Sequence, residues 1–291
     1  MSDRQKAFLS IFLGTILGGA TATVTKIGII EFPPLSFAFI RFLLASILIL
    51  PFFLKLKKHR LKDFSSLIPV SLFASVNIIL FILGIKTTTA TIGQLLYAGT
   101  PLLTGLIVYI FMKERLNSRK ILGIIVGFIG VGLVIFLPII EKGKMFCGDL
   151  TGNILIGTAV IFWSFYMAFS KKAQQKYSPL AVTSIFIFTT TVSLLPLFIY
   201  DQTVHFGWWN ALTIKGVVSI LYVIIVATII TNMLNQYAIK HGGSVFASMA
   251  FYLLPVFSFL SAFALLGERL TMGILIGGTL ALLGVFFVTK K

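Results

Sequence analysis

The sequence predicts an all-α membrane protein of ten transmembrane helices, built as two inverted five-helix repeats. Three observations carry that prediction. The chain is 58% hydrophobic and only 11% charged, against about 25% charged in a soluble domain, and its mean hydropathy is +1.04. Its apolar runs reach the roughly 20 residues that a helix needs to cross a bilayer. The second half also repeats the first. Ile85–Val134 aligns on Ile239–Val288 without a gap, placing Lys86 on Lys240, Pro101 on Pro255, Glu114-Arg115-Leu116 on Glu268-Arg269-Leu270, Gly123 on Gly277 and Gly130 on Gly284. A sparser register of 145 residues links Lys26 to Lys171 and Pro34 to Pro179. Internal repeats in a membrane protein point to alternating access around a site between two similar halves.

The spans follow in order. The first covers about 8–29, after Arg4 and Lys6, and carries Thr21 and Thr25. Its Ala20-Thr21-Ala22 resembles a signal peptidase site, but cleavage there would destroy the match to the sixth span, so it reads as a helix that stays. The second, 34–54, follows Pro33-Pro34 and holds Arg41 seven residues inside, roughly 10 Å deep at 1.5 Å per residue. After the basic loop Lys55–Phe64 comes the third, 65–85, with Asn77. The fourth, 90–112, sets Gln94, Tyr97, Pro101 and Thr104 on one helical face, and the fifth, 119–138, carries Gly123, Gly127 and Gly130.

The connection Ile139–Leu150 divides the chain into repeats at 1–145 and 146–291. The sixth span, 151–170, offers Trp163, Tyr166 and Ser170. The seventh, 179–200, has Phe186 where the first copy has Arg41. The connection Asp201–Thr213, with Phe206, Trp208 and Trp209, suits an interfacial segment and accounts for the change of register from 145 to 154. In the eighth, 214–237, Thr228, Asn232, Asn235 and Gln236 form a polar stripe. The ninth, 244–266, repeats the fourth with Ser248, Phe251, Pro255 and Ser258 on one face; the tenth is 271–289.

Charge sets the orientation. With the N-terminus cytoplasmic, 17 of the 24 basic residues fall on cytoplasmic segments, against six on the far side, with Arg41 within a span. This bias obeys the positive-inside rule with both termini in the cytoplasm. It assigns the net charge of +16 to anionic lipid headgroups rather than to nucleic acid. Five spans per half is an odd number, so the halves must run in opposite directions, with the pseudo-two-fold axis in the membrane plane. The single cysteine, Cys147, excludes an internal disulfide and a cysteine-based metal site.

At these residues the sequence resembles the drug/metabolite transporter superfamily, specifically its EamA-type ten-helix members. The resemblance rests on Pro33-Pro34 then Arg41-Phe42, on Leu83-Gly84-Ile85-Lys86, and on Pro101 before Lys113-Glu114-Arg115-Leu116. The second copy adds Trp163-Ser164-Phe165-Tyr166, Lys171, Tyr237-Ala238-Ile239-Lys240, Pro255 and Leu266-Gly267-Glu268-Arg269-Leu270. Many members carry Trp-Gly in the first span, where this chain has Leu17-Gly18. The resemblance implies a helical bundle around a central cavity and export or exchange of small metabolites.

Polar side chains in hydrocarbon cost free energy unless they face the bundle interior. Asn77, Gln94, Tyr97, Trp163, Tyr166, Asn232, Gln236 and Ser248 are therefore candidates to line a substrate cavity, with interhelical hydrogen bonding and core packing as the competing roles. Pro101 and Pro255 each remove a helix hydrogen bond and kink or break their spans, which suits gates or static kinks alike. Arg41 can bind a carboxylate or phosphate, or pair with helix-end carbonyls. The pairs Gly123/Gly127 and Gly273/Gly277 satisfy G-x-x-x-G, a pattern of close packing and sometimes of a homodimer face. All eight acidic residues and all three histidines fall in loops or at span ends, which speaks against a cation/proton antiporter with a mid-membrane carboxylate. No phosphate-binding loop or hydrolase motif is present, so no cofactor and no enzyme chemistry is expected. The sequence thus predicts a secondary transporter, in a bacterial or archaeal cell (inner) membrane, of a small amino-acid-like, neutral or anionic metabolite. A non-transporting membrane protein, an intramembrane enzyme or an assembly partner, is the alternative.

Overall fold

In a computed structural model, the structure describes residues 2–56, 61–88, 90–114, 117–142 and 149–266, with 276, 279, 280, 283, 284 and 287 from the tail. Every regular element among them is helical: α1 (Asp3–Gly18), α2 (Thr21–Glu31), α3 (Pro34–Leu54), α4 (Ile68–Thr87), α5 (Ala90–Tyr97), α6 (Thr100–Met112), α7 (Ser118–Lys142), α8 (Leu150–Ala173), α9 (Pro179–Val204), α10 (Ile214–Tyr222), α11 (Thr231–Gly242), α12 (Ser244–Ser248) and α13 (Ala250–Leu266). A 3₁₀ turn, Leu61–Leu67, precedes α4, and a π-helical stretch, Val223–Ile230, joins α10 to α11. These match the first nine predicted spans. The tenth, with Glu268-Arg269, Gly273 and Gly277, lies almost wholly outside the described residues.

Side chains that close on their own backbone fix where several helices begin. Ser2 and Gln5 form a reciprocal capping box on α1, and Asp149 and Ser178 accept from Gly152 N and Ala181 N at the starts of α8 and α9. Such caps satisfy amides that the first helical turn leaves without a partner. At the start of α3 the acceptor comes from another span. Asp201 Oδ2, near the end of α9, accepts from Ser36 N at 2.8 Å and from Ser36 Oγ at 2.7 Å.

Six stretches among the described residues are long and apolar enough to cross a membrane: Asp3–Glu31, Pro34–Leu54, Phe64–Thr87, Leu150–Ala173, Pro179–Val204 and Ile214–Gly242. Their outer surfaces are apolar. Ile30, Ile47, Leu72, Ile154, Val192 and Val218, one from each, all stand exposed, and lipid is the solvent that makes such a surface stable.

The helix contacts obey an exchange of halves. α4 packs on α8, third span on sixth, and α1 on α11, first on eighth. α6 packs on α8 as α1 does on α13. α4 packs on α9 as α3 does on the π stretch, and α3 on α9 is its own counterpart. Each contact therefore maps onto another when spans 1–5 and 6–10 are exchanged, as a pseudo-two-fold axis requires. Glycines allow the tightest of these approaches. A Cβ on Gly84 would lie 2.6 Å from Ile156 and 2.9 Å from Gly152 O. One on Gly127 would strike the Tyr252 ring at 2.3 Å, so this half of a G-x-x-x-G pair is spent on packing within the chain.

Candidate functional site

Among the described residues, four spans are interrupted. α1 gives way to α2 at Gly19-Ala20, α5 to α6 at Ala98-Gly99, α12 to α13 at Met249, and the eighth span passes through its π stretch. Gly19, Ala20, Gly99 and Met249 keep right-handed helical dihedrals, so these are lapses in helical pairing rather than loops, while π segments recur at functional sites. All four interruptions border one cavity of about 170 Å³. Gly18 and Thr21 line it at the first, Gln94 and Tyr97 at the second, Ala250 and Phe251 at the third, and Ala227 and Thr231 at the π stretch.

The cavity lies close to the pseudo-axis. Tyr97 and Phe251, repeat partners by sequence register, stack with ring centroids 5.6 Å apart and planes 23° apart. A residue can touch its own repeat partner only near the axis that relates them. The fourth and ninth spans, which supply this pair, are therefore at the centre of the bundle.

Of the residues singled out from sequence, Asn77, Gln94, Tyr97, Trp163, Asn232 and Arg41 stand in the cavity wall. Asn77 Nδ2 donates to Ala159 O at 2.7 Å and to Tyr97 Oη at 2.6 Å. Arg41, only 6% exposed, donates from Nε to Thr228 Oγ1, and its guanidinium carbon lies 5.1 Å from the Phe42 ring centre. Thr228 Oγ1 donates in turn to Val223 O at 2.8 Å, and Asn232 Nδ2 donates to Ala227 O and Thr228 O at 3.1 and 2.9 Å. These side chains serve carbonyls that the π geometry displaces from ordinary helical pairing. Trp163 packs at 5.1 Å from the Tyr166 ring, and its indole nitrogen is buried without an acceptor among the described residues. Among the described wall residues, Arg41 alone carries a formal charge.

Tyr166, Gln236 and Ser248 are placed elsewhere. Gln236 Nε2 donates to Tyr166 Oη at 2.9 Å and lies 3.4 Å from Ser170 Oγ, while Gln236 Oε1 accepts from Gln174 Nε2. This buried network ties α8 to α11 outside the wall. Ser248 donates within α12 to Val245 O. Pro101 sits in the first turn of α6, just past the break at Ala98-Gly99, whereas Pro255 lies inside α13, six residues beyond the break at Met249. Equivalent prolines thus accompany inequivalent breaks.

The wall also includes Ser10, Thr15, Phe81 and Thr231, which the polar-face reading passed over. Ser10 and Thr15 hydrogen-bond to carbonyls one turn back, Lys6 O and Ile11 O, so their sequence signal is that of self-satisfied helix residues. Thr231 adjoins the stripe that named Asn232 and was within reach of it.

A family model described as the EamA-like transporter family matches residues 5–136 and, a second time, residues 150–290. A protein of Archaeoglobus fulgidus, named an uncharacterized transporter, is 26% identical over 296 residues, covering 99% of this chain and 98% of its own. YyaM of Bacillus subtilis, also named an uncharacterized transporter, is 28% identical and covers 93% of this chain and 89% of its own. A solved crystal structure superposes with a TM-score of 0.75 at 16% identity, covering 97% of this chain and 96% of the other. At that identity the likeness speaks for the fold alone.

Proposed function

Because the chain belongs to the EamA-like transporter family, a family of membrane transporters, we propose that it moves a small amino-acid-like, neutral or anionic metabolite by alternating access through the cavity at its centre. The observation that carries this reading is the placement of that cavity, on the pseudo-axis and beside all four interrupted spans. Substrate sites of inverted-repeat transporters lie at the repeat interface, beside discontinuous helices.

Size narrows the cargo. A cavity of about 150 Å³ admits benzene, so the 170 Å³ found here suits a small metabolite better than a bulky drug. Coupling through a carboxylate in the wall finds no support among the described wall residues, and exchange or facilitated diffusion is the simpler mechanism. The basic loops favour a cell (inner) membrane setting with both termini cytoplasmic.

Counterflow in proteoliposomes tests the reading. Vesicles preloaded with one unlabelled metabolite from a panel of amino acids, organic acids and neutral solutes should accumulate the same labelled compound from outside. At least one should do so, and the Asn232→Leu protein should not. If no member of the panel accumulates in vesicles holding folded protein, the transport reading fails.

A further inference from the structure

Within the cavity the hydrogen-bonding capacities of three wall residues add up in one direction. Asn77 Nδ2 lies 2.7 Å from Ala159 O, a carbonyl that can only accept. The atom there must be the amide nitrogen, which settles the orientation of the side chain. The same nitrogen lies 2.6 Å from Tyr97 Oη, and an amide NH₂ cannot accept, so the Tyr97 oxygen accepts a hydrogen bond from Asn77. Its own hydroxyl proton is then free to point elsewhere, and no acceptor for it is found among the described residues. Arg41 repeats the pattern. Its Nε is taken by Thr228, while its two Nη groups find neither an acceptor nor a carboxylate partner among the described residues. The guanidinium and the phenol line the same cavity. The third group is the indole N–H of Trp163, buried without a partner among the described residues.

We propose that Arg41 and Tyr97 form a head-group subsite for a single carboxylate, with Asn77 as the positioning residue that turns the Tyr97 hydroxyl toward it. This deepens the transporter reading by naming its substrate class, and it rests on that reading only for its biological use. One guanidinium balances one negative charge, and a buried charge left unpaired is costly. A monocarboxylate therefore suits the site better than a phosphate ester, whose second charge has no cationic partner among the described wall residues. The aromatic wall of Phe81, Tyr97, Trp163 and Phe251 is left for the apolar body of the same molecule.

Binding can be measured without transport, so the two readings fail separately. The purified full chain in detergent would be assayed by thermal shift with a panel of monocarboxylates, from acetate and propionate to leucine and phenylalanine. The corresponding primary amides and glycerol 3-phosphate serve as comparison. The expected result is stabilisation by at least one acid and none by its amide or by the phosphate. Arg41→Gln should weaken the acid by roughly tenfold to a hundredfold, the usual range for a hydrogen bond to a charged group. Tyr97→Phe, which removes one oxygen and leaves the ring stacked on Phe251, guards against misfolding at Arg41 and should weaken it about tenfold. The proposal is overturned if no acid binds, if amides or glycerol 3-phosphate bind as well as acids, or if folded Tyr97→Phe binds with wild-type affinity. Acid-selective binding without counterflow would keep this subsite and sink the transport reading.

Discussion

Asp201 shows how a single side chain can be misplaced by sequence position and put right by its partners. It lies at the end of a span, which reads as a solvated loop carboxylate, yet it is 4% exposed. What pulls it in is the start of α3, where Ser36 N and Ser36 Oγ both donate to it. His205, at 3.1 Å from Oδ1, covers its other side. A carboxylate at a helix start also meets the positive end of the helix dipole. Asp201→Ala would leave the Ser36 donors buried and unserved, at a cost of about 2 kcal/mol. Asp201→Asn keeps one acceptor oxygen and should cost less than half as much. Thermal unfolding of the two variants checks the order, and equal losses would mean that the hydrogen bonds contribute nothing. At this same scale the helical period sets Gln94 and Tyr97 on one face of the fourth span and Thr228 and Asn232 on one face of the eighth, because polar residues spaced by three and four share a face. It could not separate them from Tyr166 and Gln236, whose faces are just as polar. Those two satisfy each other across α8 and α11, and partner choice is a property of packing that one sequence does not print.

At the scale of the element, the interruptions divide by cause. The break at Ala98-Gly99 was legible, because Pro101 in the next turn lacks an amide proton and crowds the preceding carbonyl. The breaks at Gly19-Ala20 and Met249 and the π stretch at Val223–Ile230 have no proline at the break; at the first of them, Gly19 packs against Phe257 so closely that a Cβ would lie 2.8 Å from it. Elements also pin one another at the ends of the bundle. Lys171, ending α8, meets both oxygens of Glu114, just past α6, at 2.7 Å, and at the other end Lys26 Nζ donates to Thr88 O at 2.8 Å. Alternating access requires such ties to break at one end while the other holds. An exposed ion pair is worth little, about 1 kcal/mol or less, so in the proposed alternating access the Lys171–Glu114 contact would act as a latch rather than a lock. Lys171→Gln should therefore raise the reactivity of a cysteine at cavity residue Asn235, in a Cys147→Ser background, toward an impermeant reagent applied from the cytoplasmic side. A few-fold increase is expected. Unchanged reactivity would show that this pair does not hold the end closed.

For the whole molecule, the repeat read from sequence and the contacts among helices make the same statement by independent routes. The register rests on matched residues such as Lys86 and Lys240; the exchange of contacts rests on which helices touch. Neither alone fixes direction across the membrane, but the five spans per half expected from the sequence would, since an odd number returns the second repeat upside down. Repeat-equivalent positions must then face opposite solutions. Ile30, in the last turn of α2 and 80% exposed, is matched by Gln175 under the 145-residue register, just past α8 and also exposed. With Cys147→Ser as background, an impermeant maleimide added outside intact cells should label Ile30→Cys and not Gln175→Cys. Inverted vesicles should give the reverse. Labelling of both from one side would place the two halves parallel, remove the in-plane axis, and leave the meeting of Tyr97 with Phe251 without the symmetry that explains it.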